Sequence, residues 1–234
     1  MKKKIIIVLL VLLGIYGLFL IGVKVHYGFE NKSVMNRLEG EIHYLERVDG
    51  NLVLMKSNAN LTNKEVLYNH AGLGETNSGQ NDNVIDYEIQ PETNEITVIA
   101  MYDNEWSRLK VEQGVGTYYG PEEYGDTSYD EITKLSQNNV TVELINGSIY
   151  LTKNNEKTCI KDIGNNYDQN YNSYYLSALS PDGRYLIYTD MRNSLIISFL
   201  DALVPWNITY TYVMDLETNE VSPYRNISNI TWRY

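Results

Sequence analysis

The amino-acid sequence predicts an all-β domain that follows one N-terminal apolar helix. Four stretches each combine an apolar or alternating run, a short turn and a second run: EIHYLERV-DG-NLVLMKS, EITVIAMY-DN-EWSRLKV, VTVELI-NG-SIYLTK and YYLSALSPDGRYLIYTD. This order is typical of β-hairpins, and four hairpins in about 200 residues indicate one all-β domain of ordinary size. Ahead of them, an uncharged run at residues 5–23 follows three lysines.

The N-terminal run, IIIVLLVLLGIYGLFLIGV, predicts a transmembrane signal anchor at residues 5–23. As a helix it would span about 28 Å, which fits the hydrocarbon core of a bilayer. The alternative is a cleaved secretory signal, but GVKVHYG is poor in small residues and places Lys24 where cleavage is expected. We expect an uncleaved single-pass anchor in the cell membrane, with residues 1–4 as a basic cytoplasmic end and the following chain extracytoplasmic.

Residues 24–40 are expected to form a juxtamembrane connector, and residues 41–234 the extracytoplasmic β domain. The pattern from 29 to 47 is ambiguous, because apolar residues at 34, 38, 42 and 45 share a helical face while EIHYLERV also alternates as a strand. We expect the first strand to begin near Glu41.

The charge of the exported part argues against a nucleic-acid partner. Residues 1–24 hold four of the 19 basic residues and none of the 30 acidic ones, so the remainder has 15 basic and 30 acidic residues, a net charge of −15. Such a domain repels phosphate backbones. Cys159 is the only cysteine, so an intrachain disulfide is impossible, and we expect this thiol to be a buried, small apolar side chain.

The stretch SPDG at residues 180–183 has the composition of a tight turn. Pro181 fixes φ, Asp182 can hydrogen-bond its own backbone and Gly183 tolerates a positive φ. In the run after the turn, RYLIYTD, apolar side chains alternate onto both faces. This strand is therefore expected in a sheet that is covered on both sides.

A shared tetrapeptide suggests an internal repeat. Glu-Thr-Asn-Glu occurs at residues 92–95 and again at 217–220, an offset of 125 residues, or three units of about 42. This spacing predicts a repeated unit of one small antiparallel sheet.

Residues 174–224 resemble a known family. LSPDGRYLIYTD followed by YVMDLETNEV is similar to the WD40-like repeat of TolB-type β-propellers. The resemblance implies a small or incomplete β-propeller-like array of antiparallel sheets with about four to five blades. The terminal ISNITWRY would be the first strand of a blade: either it pairs with the N-terminal hairpin and closes a ring, or the array stays open. A stack of meanders that is not a propeller is the alternative.

The sequence offers no catalytic motif, and we expect no catalytic residues, metal or cofactor. His26, His43 and His70 lack the spacing that presents two imidazoles to one metal, and His43 is expected on the polar side of a strand. The motifs of zinc proteases, serine hydrolases and phosphate-binding loops are missing.

Tyrosine is the most informative excess, with 21 residues concentrated in TYYGPEEYGDTSYDE and NNYDQNYNSYY. Tyrosine gives broad amphipathic contact at low entropic cost, and Asn and Ser adapt their hydrogen bonds. These two stretches predict a contact surface for a protein, peptide or glycan, made by Tyr118, Tyr119, Tyr124, Tyr167, Tyr171, Tyr174 and Tyr175. The alternative is that the tyrosines only pack against the sheets.

The apolar stretch SLIISFLDALVPW, residues 194–206, interrupts the best-matched blade. One interpretation is a short helix or extra strand that folds over the open end of a small propeller. The other is docking on a partner subunit or the membrane interface through Phe199, Leu203 and Trp206, with Trp206 at headgroup depth.

Together these patterns favour a membrane-anchored, extracytoplasmic, β-propeller-like binding or accessory module of the cell envelope that is not catalytic. Two alternatives remain open. A cell-wall-acting hydrolase would need a pair of buried carboxylates, and a structural subunit of a larger membrane complex would show a large exposed apolar patch.

Overall fold

The computed structural model describes residues 2–27, 33–49, 51–70, 84–90, 92–103, 105–122, 132–165, 167–168, 172–192, 194–204 and 208–234. In the first helix, side chains are described for residues 11–24. The helices are α1 (Lys2–Tyr27), a 3₁₀ turn (Met35–Arg37) and α2 (Ser194–Asp201). The strands of the first half are β1 (Glu41–Val48), β2 (Asn51–Asn58), β3 (Glu65–Asn69), β4 (Val84–Ile89), β5 (Ile96–Tyr102), β6 (Glu105–Glu112) and β7 (Val115–Pro121). Those of the second half are β8 (Lys134–Gln137), β9 (Val140–Ile145), β10 (Ser148–Lys153), β11 (Glu156–Lys161), β12 (Tyr174–Leu179), β13 (Tyr185–Asp190), β14 (Thr211–Asp215), β15 (Val221–Tyr224) and β16 (Ser228–Arg233).

The described strands form four antiparallel sheets of four strands each, which confirms the all-β prediction and fits a β-propeller-like array. Sheet 1 has the order β16-β1-β2-β3, sheet 2 is β4 to β7, sheet 3 is β8 to β11 and sheet 4 is β12 to β15. All four predicted hairpins form, as β1–β2, β5–β6, β9–β10 and β12–β13. The first strand begins at Glu41, as expected.

The two ends of the β domain meet in sheet 1. Strand β16 pairs antiparallel with β1, with Glu41 opposite Arg233 and Ile42 opposite Trp232. The Trp232 indole Nε1 donates to the Glu39 carbonyl at 2.9 Å. At Gly40 (φ +89°) the backbone is so close that a Cβ would lie 2.3 Å from the Arg233 carbonyl oxygen. The last strand therefore pairs with the N-terminal hairpin, as the ring-closing arrangement requires, although this pairing alone does not close a ring.

Strand β16 is also tied to sheet 2. The Tyr87 hydroxyl lies 2.7 Å from the His43 carbonyl oxygen and accepts from the Thr231 amide at 3.2 Å. Burial raises the pKa of Tyr87 to about 12, so this hydroxyl stays protonated at neutral pH. Arg233 adds a hydrogen bond to the Ile89 carbonyl at 2.8 Å. One strand thus joins two sheets.

Apolar clusters connect the sheets in the order 2–1–4–3. Leu45 and Leu54 of sheet 1 pack on Val98 and Leu109 of sheet 2. The opposite face of sheet 1 packs on sheet 4, and the far face of sheet 4 packs on sheet 3. Along β13, side chains alternate between the last two clusters, which confirms that this strand is covered on both faces. Within the described part of the chain, no apolar cluster joins sheet 2 to sheet 3.

The faces of sheets 2 and 3 that lie away from these clusters carry ion pairs. On sheet 2, Lys110 lies 3.2 Å from Glu95. On sheet 3, Glu143 contacts Lys157 at 2.6 Å and Lys134 at 3.4 Å. Charged outer faces are what the terminal units of a stacked array need, because they meet water on one side.

The SPDG turn forms as predicted. The Gly183 amide donates to the Ser180 carbonyl at 2.8 Å, and Gly183 has a φ of +74°. The Ser180 hydroxyl accepts from the Tyr185 amide at 2.8 Å, which fixes the start of β13.

The Glu-Thr-Asn-Glu repeat proves to be a repeated turn and not a repeated blade. Residues 92–95 connect the first two strands of sheet 2, whereas residues 217–220 connect the last two strands of sheet 4. Both copies share one geometry: the asparagine has a positive φ (Asn94 +56°, Asn219 +59°) and its amide donates to the carbonyl four residues earlier, at 2.9 and 2.8 Å. The prediction of a blade period from this tetrapeptide is therefore wrong.

Three local expectations also need correction. Cys159 is exposed, because β11 is an outer strand of sheet 3. His43 is buried, because both faces of β1 are covered by neighbouring sheets. The connector is not wholly outside the domain, since Val34 and Leu38 lie in the core between sheets 1 and 4.

Sheets 1 and 2 share a buried polar link at His70. This side chain is fully buried; its Nε2 lies 2.5 Å from the Met101 carbonyl oxygen and its Nδ1 lies 2.5 Å from the Tyr68 hydroxyl. A carbonyl can only accept, so Nε2 carries the proton and Nδ1 accepts from Tyr68. The neutral imidazole therefore satisfies both partners, and burial lowers the pKa of His70.

We predict that stability decreases as the pH falls below about 6.5, the pKa of an unfolded histidine. The pKa values of His70 and His43 are both lowered by burial. The unfolded chain therefore takes up protons first, and each histidine removes up to about 1.4 kcal/mol per pH unit until its folded pKa is reached. Thermal unfolding of the full chain in a non-ionic detergent, between pH 7.5 and 5, measures this. His70→Gln should flatten the dependence, as should the matched variant His43→Gln, and an unchanged slope in both would contradict the assignment.

Candidate functional site

A group of exposed apolar side chains lies on α2 and the residues that follow it. This segment is inserted between β13 and β14, the second and third strands of sheet 4. The exposed fractions are 69% for Leu195, 53% for Ile196, 65% for Phe199 and 40% for Leu203. Exposed apolar side chains grouped in this way indicate a site of contact with a partner or a membrane.

The other side of this segment packs against α1. Leu200 and Val204 form an apolar cluster with Phe19 and Val23 of α1, together with Ile208. The Tyr16 hydroxyl donates to the Leu203 carbonyl at 2.8 Å. The N-terminal helix is thus attached to the β domain at the insertion of sheet 4.

The exposure of this segment and its contacts with α1 bear on the two interpretations of residues 194–206. A short helix forms, as one interpretation expected, but its described side chains Leu195, Ile196 and Phe199 are exposed and not buried over an open end of the array. Phe199 and Leu203 remain exposed because the segment meets α1 with one side only. Trp206 lies outside the described residues.

The predicted tyrosine surface is divided between sheets. Tyr118 and Tyr119 lie on β7, the outer strand of sheet 2, with exposed fractions of 50% and 71%. The Tyr118 ring packs against Tyr102 with a centroid distance of 5.8 Å. Tyr167 is exposed beside the β9–β10 turn of sheet 3, where a Cβ on Gly147 would lie 2.2 Å from its ring.

The remaining tyrosines differ in their surroundings. Tyr174 is 1% exposed in the core between sheets 3 and 4, so its assignment to a contact surface is wrong. It is the first residue of β12, and its ring meets Tyr188 at 6.0 Å. Tyr175, its neighbour on the opposite face, is half-buried. Tyr124 and Tyr171 lie outside the described residues.

Sequence reasoning missed a charged cluster around Asp215. This carboxylate is fully buried, and its Oδ2 accepts from Arg184 at 2.9 Å and lies 3.2 Å from Arg37. Its Oδ1 accepts from the Glu217 amide at 2.9 Å. Burial alone would raise the pKa of Asp215, but Arg184 and the backbone amides outweigh it and hold the pKa below its usual range.

A cavity of about 440 Å³ adjoins this cluster, with Arg37, Arg184, Asp182 and Tyr234 among its lining residues. Both arginines are engaged by acidic partners, Arg37 by Asp215 and Glu220 and Arg184 by Asp215. We interpret the cluster as a structural joint between the 3₁₀ turn and sheet 4. From the sequence, only the stretch SPDGR at residues 180–184, followed later by a strand that ends in Asp215, could have indicated this charged cluster.

Among the described residues, no group of three or more His, Cys, Asp or Glu side chains could hold a metal ion. Among the residues whose side chains are described, which in α1 are residues 11–24, no helix is both long and apolar enough to cross a membrane.

Comparison with known proteins gives no family assignment. No protein-family model matches the sequence, and no curated protein sequence shows significant similarity to it. Among solved structures, TolB from Acinetobacter baumannii is similar with a TM-score of 0.27 and 11% identity, over 79% of this chain and 41% of that chain. A structure from a study of two prolyl endopeptidases gives a TM-score of 0.22 and 10% identity, over 87% of this chain and 33% of that chain. The chain therefore spans less than half the length of either structure.

Matched tyrosine variants should separate surface from core. We expect Tyr119→Ala to change the free energy of unfolding by less than about 0.5 kcal/mol, because the side chain is solvent-exposed. Tyr174→Ala should cost about 3 kcal/mol or more, because it leaves a cavity between sheets 3 and 4. Thermal unfolding of the full chain in detergent measures both, and equal effects of the two substitutions would contradict the assignment.

Proposed function

We propose that this protein is a membrane-anchored, extracytoplasmic module of the cell envelope whose β-propeller-like domain acts by binding and not by catalysis. In this proposal α1 is the transmembrane anchor, and sheets 1 to 4 carry the contact surface.

The exposed apolar side chains of α1 carry the proposal. Six apolar side chains between residues 11 and 21 are exposed, and they are Val11, Leu12, Leu13, Ile15, Leu18 and Ile21. The exposed fraction reaches 65% at Leu13 and 72% at Leu18. In water this surface would be unfavourable by roughly 25 cal/mol for each Å². A bilayer removes the cost. The uncharged sequence of residues 5–23, preceded by three lysines, supports the same conclusion and favours an extracytoplasmic β domain.

The attachment of α1 to sheet 4 supports a domain held at a fixed distance from the membrane. Phe19 and Val23 pack against the α2 segment, and Tyr16 is hydrogen-bonded to the Leu203 carbonyl. These contacts lie at the end of α1 next to the β domain, so the domain would be presented directly at the membrane surface.

Binding is assigned to the tyrosines of β7. Tyr119 projects into solvent from an outer strand, and Tyr118 is held by its contact with Tyr102. Pre-positioned tyrosines lose little side-chain entropy on binding. A protein, peptide or glycan at the envelope surface fits such a surface.

A structural subunit of a larger membrane complex is the second candidate, and the exposed side of α2 favours it. The buried carboxylates of the described residues, Glu46 and Asp215, do not support the hydrolase alternative. Glu46 is 3.2 Å from Lys64 and contacts Arg225, and Asp215 is bound by two arginines. Their charges are compensated, and the two lie in different sheets.

The native thiol gives a direct test of topology, because Cys159 is the only cysteine and is exposed. We expect a membrane-impermeant maleimide to label the full chain in intact spheroplasts of a bacterial host, and the labelled protein to remain in the membrane after carbonate extraction. The measurement is labelling before and after permeabilisation.

The matched control is Cys159→Ser, which should not be labelled under either condition. Labelling only after permeabilisation would place the β domain on the cytoplasmic side. Release into the carbonate supernatant would show that α1 does not anchor the chain. Either result refutes the proposal.

A further inference from the structure

We infer that the α2 segment, residues 194–204, is a second membrane contact that lies in the outer leaflet beside α1. This inference rests on the proposed anchor and names the partner of the exposed apolar side of α2: the boundary between lipid headgroups and acyl chains. It goes beyond anchoring, because two contacts would fix the orientation of the β domain on the membrane.

The depth of the segment follows from its contacts along α1. Leu203 is hydrogen-bonded to Tyr16, and the cluster around Leu200 and Val204 includes Phe19 and Val23. From Tyr16 to Val23, seven residues of helix rise roughly 10 Å. If the span ends at Val23, Leu203, just beyond the end of α2, lies about 10 Å inside the outer boundary, the depth of interfacial helices. A segment held here cannot avoid the bilayer.

The polar groups of this contact are arranged for an apolar environment. The last carbonyls of a helix lack intrahelical partners, and in a bilayer each group without a partner is costly. In the last turn of α2, the Leu200 carbonyl accepts from the Leu203 and Val204 amides at 2.9 and 3.1 Å. Just beyond the helix, the Leu203 carbonyl accepts from the Tyr16 hydroxyl at 2.8 Å. The tyrosine hydroxyl within the proposed span is satisfied by the same bond.

Both α2 and the part of α1 that it contacts expose apolar side chains. Leu195, Ile196 and Phe199 are exposed and do not belong to the cluster that holds Leu200, and on α1 Leu18 is exposed while Phe19 packs in that cluster. The segment has a single charged residue, Asp201, and no basic one. The exported domain carries a net charge of −15. The contact is therefore hydrophobic, and it should form with zwitterionic phosphatidylcholine and need no anionic lipid.

Depth-dependent quenching tests the inference on the full chain. In a Cys159→Ser background, Phe199→Cys and Leu195→Cys are each labelled with the fluorophore NBD and reconstituted into phosphatidylcholine vesicles. Both positions are exposed, so neither substitution removes a core contact. We expect a nitroxide at a shallow acyl position to reduce the emission of both by about half or more, and a nitroxide at a deep position to reduce it less.

Two control positions separate this inference from the proposed function. Leu13→Cys on α1 should be quenched by the deep nitroxide, and Glu156→Cys on the outer edge of sheet 3 should not be quenched by either. If Leu13→Cys is quenched while Phe199→Cys and Leu195→Cys are not, the anchor stands and the second contact is refuted. If Leu13→Cys is also unquenched, the anchor itself fails and the inference fails with it.

The other possible occupants give different results in the same preparation. If a second copy covers α2, unlabelled Phe199→Cys chains should cross-link to one another and the labelled site should escape quenching by lipid. If another subunit covers α2, the site should be quenched in vesicles of the purified chain but protected in native membranes. Cross-linking without quenching would refute the membrane contact. Protection in native membranes would show that another subunit, and not lipid, covers α2 in the cell.

Discussion

The pairing of β16 with β1 is the constraint on which the rest of the β domain depends. It joins the first and last strands of the chain into sheet 1, which then packs sheet 2 on one face and sheet 4 on the other. Hydrogen bonds of three side chains strengthen this pairing. The Trp232 indole donates to the Glu39 carbonyl of the connector, and the Tyr87 hydroxyl of sheet 2 donates to the His43 carbonyl of β1. Arg233 of β16 donates to the Ile89 carbonyl of sheet 2. Because sheet 3 is attached through sheet 4, the order 2–1–4–3 has sheet 1 near its centre, and loss of β16 would expose both of its neighbours.

This arrangement also positions the surfaces that carry the proposed function. The tyrosines Tyr118 and Tyr119 lie on the outer strand of sheet 2, whereas α1 and α2 meet sheet 4. Sheet 1 stands between these two regions. Attachment to the membrane and contact with an envelope partner would therefore occur through different sheets, so that a bound partner need not displace the anchor.

Local sequence patterns predict local structure well in this chain. The hairpins follow from alternating apolar runs and turn residues, and the SPDG turn follows from the properties of Pro181, Asp182 and Gly183. What the patterns could not give is the position of each strand within its sheet. Cys159 is exposed because β11 is an outer strand, and Tyr174 is buried because sheet 3 packs against sheet 4. The repeated Glu-Thr-Asn-Glu misled for the same reason: it encodes one turn geometry at two different positions in a sheet. Likewise, the apolar composition of residues 194–206 indicated a short helix or an extra strand, but only the contact with α1 reveals which side chains stay exposed.

Amide hydrogen exchange on the full chain and on a chain that lacks residues 226–234 tests the central role of β16 most directly. If sheet 1 depends on this strand, the truncated chain should lose protection at the β1 amides that face β16 and at β4, which Tyr87 ties to β16, while the β9 and β10 amides of sheet 3 remain protected. Removal of Tyr234 alone, which is 73% exposed, should leave every strand protected. A truncated chain whose β1 and β4 amides exchange as slowly as those of the full chain would contradict the account.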